Sequence, residues 1–272
     1  MSNFFTSTRR AFLVAGLALG AVASAMAGEI RVVSSGGFTA AYNELVPLFE
    51  AATGHKVLTS YGASMGTAND SIPSRLARGE QFDIVILADS ALESLVKQGK
   101  VVPNTRVDLG RSLIGVSVRK GLPKPDISTV DGVKKAVLDA KSIAYSASAS
   151  GTYLSNELFP KLGVWDQIKD KSRKIMSERV GTVLTRGEAD LGFQQVSELL
   201  PFKDIEFIGP LPEELQQKVF FSAGLAVGSK EPELAAQLVK FLASPAAAPI
   251  VRASGLEPVA KAAKAEAKPE AK

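Results

Sequence analysis

The sequence predicts an α/β fold of mostly parallel sheets with helices on both faces. From Glu29 onward, short apolar runs alternate with helical stretches, the order expected of repeated strand–helix–strand units. Phe82–Leu87 is a nearly continuous apolar run, as a strand buried on both faces requires. The chain has 272 residues, which is enough for one large domain or for two lobes.

The first group of elements precedes residue 100. Ala41, Leu45, Leu48, Phe49 and Ala52 recur at helical spacing, and that helix stops at a glycine. Glycines also stop the two helices that follow. We predict strands at Ile30–Ser34, Lys56–Ser60 and Phe82–Leu87, and helices at Thr39–Ala52, Ile72–Ala77 and Leu92–Gln98.

The second group starts with a new apolar run and ends with two amphipathic helices. We predict strands at Leu113–Val118, Ser142–Tyr145, Asp190–Gln194 and Phe220–Val227, and helices at Val130–Leu138, Thr152–Leu162, Val180–Arg186, Pro232–Leu242 and Pro245–Ala253. A chain that returns to its first half would form two lobes. We place lobe 1 at residues 28–112 and 222–260, and lobe 2 at residues 113–221.

Both ends of the chain stand apart from this pattern. Arg9–Arg10 precedes an apolar run, and Ala25–Ala27 has the small residues of a cleavage site. This start predicts a twin-arginine-like export signal in residues 1–27, with an ordinary secretory signal as the alternative, cleavage after Ala27 and a periplasmic mature protein. Residues 261–272 are rich in Ala, Lys and Glu and have little to bury, so we expect a disordered tail.

Charge and composition exclude several classes of function. Residues 28–260 carry 26 basic and 26 acidic side chains, so the pI near 9.2 comes from the two ends. Nucleic acid is therefore not an expected partner. Without cysteine, the chain has no thiolate for catalysis. With one histidine, it has no cluster of histidines to bind zinc, and a Ser-His-Asp triad could use only His55. We expect no metal or other cofactor, and a monomer.

Four junctions share one pattern: an apolar strand, a loop of Ser, Gly or Thr, and a helix start. They are residues 34–39, 60–67, 145–152 and 179–182. Loops at the carboxyl ends of parallel strands are where ligands bind. Helix starts offer free N–H groups to anions, although a single serine there is commonly only a helix cap. Together the junctions predict a cleft for a small anion.

The sequence resembles the periplasmic molybdate-binding protein family from about Glu29 to Val259. The residues that carry the resemblance are Val33–Gly36, Ser60–Ser64, Asp83–Asp89, Gly151–Tyr153, Leu162–Asp166 and Leu191–Phe193. It implies the two-lobed type II periplasmic binding protein fold, a ligand between the lobes and an ABC permease as partner. The family's oxyanion contacts would fall on Ser34 or Ser35, Ser64, Ser150 and Val180.

One departure points to a particular branch of that family. Where molybdate binders carry a tyrosine, this chain has Gln194–Gln195, which argues against molybdate. Ser34–Gly37, Ala63–Gly66, Ile72–Arg78, Arg106–Gly110, Pro123–Ser128, Ala144–Gly151 and Gly192–Gln195 are similar to the bacterial aconitate isomerase branch. That resemblance implies interconversion of trans- and cis-aconitate by an allylic proton shift.

A tricarboxylate also requires positive charge and a base. Arg75 and Arg179 flank two of the junctions and are the expected carboxylate clamps. Four side chains could each reach the cleft: Tyr145, Tyr153, Asp70 and Glu198. Of these, Tyr145 and Glu198 are the expected catalytic groups. Ser148, Gly151 and Gln195 complete the expected ligand contacts. The residue chemistry alone favours a solute-binding protein that delivers an oxyanion or carboxylate, or a sensor subunit; the resemblance favours the enzyme.

Overall fold

The computed structural model describes residues 27–259, which form two β-sheets with helices packed against them. The expected export signal lies outside the described residues, apart from Ala27. The expected tail, residues 261–272, also lies outside them. Among residues 27–259, no helix is both long and apolar enough to cross a bilayer.

The first sheet has six strands in the order β11-β4-β10-β3-β1-β2. Pairs β1–β2 and β1–β3 are parallel, whereas β10 pairs antiparallel with both β3 and β4. The bounds are β1 Glu29–Ser34, β2 Lys56–Tyr61, β3 Ile84–Ala88, β4 Val107–Ser112, β10 Val219–Leu225 and β11 Glu257–Pro258.

The second sheet has five strands in the order β7-β6-β8-β5-β9. Here β6 pairs parallel with β7 and β8, and β5 pairs antiparallel with β8 and β9. The bounds are β5 Ile114–Arg119, β6 Ile143–Ser146, β7 Ser172–Ile175, β8 Leu191–Gln195 and β9 Ile205–Pro210.

Helices cover both faces of each sheet. The period of two along a strand divides the core: Ile30 and Val32 of β1 face α1 and α10, whereas Val33 faces α2 and α3. The bounds are α1 Gly36–Thr53, α2 Ile72–Ala77, α3 Asp89–Lys97, α4 Val130–Asp139, α5 Ala149–Tyr153, α6 Phe159–Lys161, α7 Trp165–Ile168, α8 Val180–Thr185, α9 Val196–Leu199, α10 Pro232–Leu242 and α11 Ala248–Ala253.

The chain crosses from one sheet to the other twice. The first crossing is at Leu113, between β4 and β5, and the second lies in residues 211–218, between β9 and β10. Gln216 joins the two crossings, because its Oε1 accepts from Ile114 N at 2.9 Å and its Nε2 donates to the Ile114 carbonyl at 3.0 Å. Pairing of β10 in the first sheet begins at Val219. The lobe limits given above stay a proposal.

The α/β class is confirmed, with one correction of detail. The sheets are mixed rather than mostly parallel. The strands that follow the two crossings, β5 and β10, are antiparallel to both of their neighbours. Strands β4, β7 and β9 were not predicted, since their segments are short of consecutive apolar residues. The helix expected at Thr152–Leu162 is divided into α5, a π turn at Leu154–Leu158 and α6.

Candidate functional site

A cleft of about 460 Å³ lies where the four junctions meet. Its volume falls in the range of small-molecule sites, roughly 300–1,000 Å³. Each junction contributes to the wall, as do the end of β8 and the start of α9. The lining residues used below are Ser35, Gly36, Gly37, Tyr61, Ser64, Asp70, Ser148, Ser150, Glu178, Arg179, Gln194, Gln195 and Glu198.

The first junction presents the start of the 18-residue helix α1 to the cleft. Ser35 is its N-cap residue, yet among residues 27–259 its buried Oγ has no capping bond and no hydrogen-bond partner. A Cβ at Gly36 would lie 2.1 Å from Glu198 Oε1, so glycine is what lets that carboxyl approach the helix start. Ser34 does not line the cleft, and its Oγ donates to the Ser35 carbonyl at 3.3 Å.

The second junction contributes a buried hydroxyl whose acceptor role is already filled. Ser64 Oγ accepts from Ala88 N at 3.0 Å, which leaves its own hydrogen for a ligand. Tyr61 stands at the exposed edge of the cleft. Burial raises the pKa of Tyr61, and the nearby positive charge of Arg179 opposes that rise.

The third junction brings Ser148 and Ser150 to the cleft wall. Ser150 Oγ is buried and has no hydrogen-bond partner in the part of the chain that the structure describes. Gly151 packs behind the wall: a Cβ there would lie 1.6 Å from the Ser146 carbonyl oxygen, so only glycine fits this close approach. Gly151 therefore shapes the loop and is not part of the cleft lining.

The fourth junction supplies the positive charge. Arg179 is half-buried and lines the cleft. Its neighbour Glu178 is bound instead by Arg186, through two hydrogen bonds of 2.7 and 2.8 Å. Within residues 27–259, Arg179 forms no salt bridge, which leaves its guanidinium for an anion in the cleft.

The end of β8 adds an amide donor at the base of the cleft. Gln195 is 2% exposed, and its Oε1 accepts from Ser112 Oγ at 2.6 Å. Its Nε2 is buried and finds no hydrogen-bond partner among the described residues. An unpaired buried donor of this kind costs free energy, and a ligand oxygen would relieve that cost. The hydroxyls of Ser35 and Ser150 are likewise buried and unpaired within the described residues.

Glu198 is the buried carboxyl of the site. It lies in α9, 9% exposed, with its side chain against Gly36. Burial raises the pKa of Glu198 to about 7, although Arg179 and the Gln194 amide both favour the ionised form. A carboxyl that titrates near neutral pH can both take up and release a proton during a reaction.

Besides Ser34 and Gly151, three more of the expected site residues lie outside the cleft lining. Arg75 does not line the cleft: its Nε donates to Glu80 at 2.7 Å and its guanidinium stacks over Phe82. Tyr145 is buried in the core of the second sheet, because it alternates with Ala144 along β6. The Val180 amide, expected as an oxyanion contact, donates instead to Gln194 Oε1 at 2.8 Å.

Gln194, Tyr61 and Glu178 line the cleft but were not among the individual site residues expected from the sequence. Gln194 was noted only as a departure from the family pattern, and nothing local indicates that its side chain would turn toward Val180. Tyr61 lies within the second junction, residues 60–67, and was predicted at the cleft only as part of that loop. Glu178 precedes the fourth junction by one residue and gave no signal of its own.

The raised pKa of Glu198 predicts a pH-dependent stability. The folded state holds this proton up to about pH 7, whereas the unfolded chain releases it near 4.5. Ionising the buried Glu198 carboxyl therefore lowers the free energy of unfolding. This loss is absent below about pH 4.5 and complete above about pH 8, where it reaches about 3 kcal/mol. Denaturant titrations at about pH 5 and pH 9 should show this loss in the natural protein and not in Glu198→Gln. An equal pH dependence in both would contradict the assignment.

Comparison with known proteins places the fold. The model of the bacterial extracellular solute-binding protein family matches residues 30–257 of this chain. An aconitate isomerase from Pseudomonas sp. is 45% identical over 230 residues, covering 85% of this chain and 88% of that protein. The molybdate-binding protein ModA of Azotobacter vinelandii is 28% identical over 250 residues, covering 89% and 96%.

A solved structure agrees with this assignment. The periplasmic molybdate-binding protein of Azotobacter vinelandii superposes with a TM-score of 0.67, covering 84% of this chain and 98% of that one. At 22% identity that likeness supports the fold alone. The two-lobed type II binding protein fold and the family resemblance are thus confirmed. The chain belongs to the bacterial extracellular solute-binding protein family.

Proposed function

We propose that this protein is a periplasmic aconitate isomerase, which interconverts trans- and cis-aconitate in the cleft between its two sheets. The observation that carries the proposal is Glu198, a buried carboxyl that titrates near neutral pH and faces the cleft beside Arg179. The 45% identity to an aconitate isomerase over most of both chains supports the same conclusion.

The reaction needs one proton to move along three carbons. Ionised Glu198 takes a proton from the methylene carbon, and the C–H electron pair forms a new C=C bond with the central carbon. The electrons of the old double bond pass onto the former vinyl carbon, which takes the proton back. No redox partner is required, since the product is an isomer. A single base suffices if it reaches both carbons on one face.

The remaining donors suit the charge of such a substrate. Aconitate carries about three negative charges at neutral pH. Arg179 offers a guanidinium, and Gln195 Nε2 and the two unpaired serine hydroxyls offer neutral donors. Fixed donors of this kind also stabilise the negative charge that develops when the proton leaves. We therefore assign Ser35, Ser64, Ser148, Ser150, Arg179 and Gln195 to binding and Glu198 to proton transfer.

A second function is a solute-binding protein that delivers a carboxylate or oxyanion to an ABC permease. The observation in its favour is that, apart from Arg179, the donors facing the cleft are neutral hydroxyl and amide groups. Export to the periplasm and a monomeric state belong equally to both proposals.

Proton NMR of the mature protein with trans-aconitate tests the two functions. Appearance of cis-aconitate at catalytic protein concentrations supports the isomerase. Tight binding of trans-aconitate, citrate or molybdate without turnover supports the carrier and overturns the isomerase. Turnover in D₂O adds a check, because proton transfer through an exchangeable carboxyl should introduce deuterium into the product.

The unpaired serines lead to a separate prediction. Ser35→Ala and Ser150→Ala each remove a hydroxyl that has no partner in the unliganded protein. We expect stability to change by less than about 1 kcal/mol, while affinity for trans-aconitate or citrate falls roughly fivefold for each lost hydrogen bond. Calorimetric titration measures the affinity. Ser155→Ala is the control, since its hydroxyl binds the Gly151 carbonyl, away from the cleft. Unchanged affinity in both cleft variants would remove these hydroxyls from the site.

A further inference from the structure

Gln195 is a polar side chain on an apolar face of the second sheet. Leu191 and Phe193 precede it on the same face of β8, and both lie in the core of that sheet. Gln195 continues this row of side chains and is 2% exposed. A buried amide costs free energy unless both of its ends are hydrogen-bonded. The partners of the two ends therefore indicate what this glutamine does.

The amide oxygen of Gln195 has its partner in the other sheet. Ser112, the last residue of β4, donates from its Oγ to Gln195 Oε1 at 2.6 Å, and Ser112 is fully buried. Gln195 pairs with Ile114 in the second sheet, and Ile114 follows Ser112 by two residues. The bond therefore spans the first crossing of the chain, at Leu113, and joins the two sheets beside the cleft.

The hydrogen of the Ser112 hydroxyl favours one orientation of the Gln195 amide. Among residues 27–259, that hydroxyl has no hydrogen-bond partner besides Gln195 Oε1. If the amide were reversed, Nε2 would donate to Ser112, and the serine hydrogen would be buried without an acceptor. The amide oxygen would then take the place of Nε2 beside the cleft and repel a bound anion. The orientation that satisfies Ser112 is thus also the one that offers a donor to an anion.

A ligand with acceptor oxygens completes this arrangement. Gln195 lines the cleft whereas Ser112 does not, so the amide oxygen points to the sheet crossing and Nε2 is the end left for the cleft. Nε2 is buried and unpaired within the described part of the chain. An ionised carboxylate can only accept hydrogen bonds, so it matches that donor. Ser112 and a bound carboxylate would therefore hold the amide from its two ends.

We propose that Ser112 is the positioning residue for Gln195: it holds the amide with its NH₂ group toward the cleft and keeps a hydrogen-bond donor ready for an anionic ligand. Ser112 acts through Gln195 and is not assigned a contact with substrate. The inference rests on the proposed function only in that the cleft binds a carboxylate, so it holds for an isomerase and for a carrier.

A double-mutant cycle on the full mature chain tests the proposal. Ser112→Ala leaves the amide free to turn, and Gln195→Leu removes both of its ends at similar volume. We expect each single change to weaken binding of trans-aconitate and of citrate roughly three- to tenfold, the contribution of one hydrogen bond. When Ser112→Ala is added to Gln195→Leu, Kd should change by less than about twofold, because the group through which Ser112 acts is already gone. Calorimetric titration at one fixed salt concentration measures the Kd values.

Ser222→Ala is the matched control. Ser222 is also fully buried and lies on β10, which pairs with β4. Its Oγ donates to a side-chain oxygen at the same distance, Asp108 Oδ1 at 2.6 Å, but Ser222 lies outside the cleft lining. Ser222→Ala should lose stability as Ser112→Ala does, and it should leave Kd within about twofold of the natural value.

A second readout follows the amide itself. The side-chain ¹⁵N–¹H resonances of Gln195, identified by their loss in Gln195→Leu, should shift when citrate is added to the natural protein. In Ser112→Ala this shift should fall by about half or more, because the amide then alternates between two orientations. Ser222→Ala should keep the full shift.

Gln195→Glu keeps the proposal testable if Ser112→Ala does not fold. The glutamate retains an acceptor for Ser112 but turns an oxygen toward the cleft in place of the amide nitrogen. At about pH 8 this variant should bind citrate more weakly than Gln195→Leu does, because like charges repel. Binding as tight as in the natural protein would mean that an oxygen already faces the cleft, which would overturn the proposal.

The two proposals fail differently. Binding of trans-aconitate without turnover overturns the isomerase, yet the cycle still tests Ser112. Losses of affinity that simply multiply in the double variant would overturn the positioning role, whatever the activity. A loss in Ser222→Ala equal to that in Ser112→Ala would overturn it as well. If the natural protein binds neither trans-aconitate nor citrate, the carboxylate site on which the positioning role depends is wrong.

Discussion

Replacement of Glu198 by glutamine should reduce the rate of trans-aconitate isomerisation by roughly 10²–10⁴-fold, the usual contribution of a general base. Glutamine has nearly the same shape and cannot take up the proton. The affinity for trans-aconitate should change little, because Arg179 and the neutral donors remain. Steady-state proton NMR assays give the isomerisation rate, and calorimetric titration gives the affinity for trans-aconitate.

Two other carboxylates line the cleft and serve as controls. Asp70 is exposed, and Glu178 is occupied by Arg186. Asp70→Asn should therefore keep most of the activity. Activity lost in Asp70→Asn and retained in Glu198→Gln would transfer the role of base to Asp70.

The pH profile gives the sign of the effect. Because the base must be ionised, kcat/KM should rise with pH, reach half of its plateau at about pH 7 and fall tenfold per unit on the acid side. In Glu198→Gln this limb should be absent from any residual activity. A bell-shaped profile would indicate a second titrating group. A profile that is flat from about pH 5 to pH 9 would contradict Glu198 as the base.

Replacement of Arg179 by methionine should weaken binding of trans-aconitate by roughly 10–100-fold. A charge-assisted hydrogen bond contributes about 1.5–3 kcal/mol, and a guanidinium can donate two to one carboxylate. The loss should appear in Kd for trans-aconitate and for citrate, so it holds for a carrier as well as for an enzyme. Calorimetric titration at a fixed, stated salt concentration measures it.

The matched control is the other arginine that the sequence analysis selected. Arg75 itself does not line the cleft; it is bound to Glu80 and to the backbone carbonyl of Tyr61, a lining residue. Arg75→Met should therefore leave Kd within about twofold, even if it lowers stability. Arg179→Lys should recover part of the affinity, because lysine keeps the charge and loses the paired donors. Equal losses in Arg179→Met and Arg75→Met would mean that neither effect is a direct ligand contact.

The same two arginines show how far sequence reasoning reaches. Arg75 follows the second junction and Arg179 begins the fourth, and both have the residue type that a tricarboxylate requires. Arg75 became a structural residue because Glu80, five positions further along, is close enough to bind it. Arg179 stayed available because its acidic neighbour Glu178 is taken by Arg186. Which arginine keeps a carboxylate partner depends on side chains brought together by folding.

Local patterns were sufficient for many elements. The helices Ile72–Ala77 and Pro232–Leu242 were predicted with the bounds that the structure has, since proline near the start and the apolar spacing define them. Strand β4, with the sequence Val-Asp-Leu-Gly-Arg-Ser, has no such pattern. It is a strand because β10 and β11 pair with it on either side, which is a property of the sheet and not of the segment.

The sequence by itself determined the α/β class, the four junctions of Ser, Gly or Thr and the charged groups from which a site can be built. Strand–helix alternation and strand ends are local properties, so they can be read along the chain. Only the tertiary structure decided that the Val180 amide donates to Gln194, that Tyr145 faces the core, and that Glu198 is buried beside Gly36. Burial and hydrogen bonding arise between segments distant in sequence, and they shift the pKa of Glu198 from 4.5 to about 7.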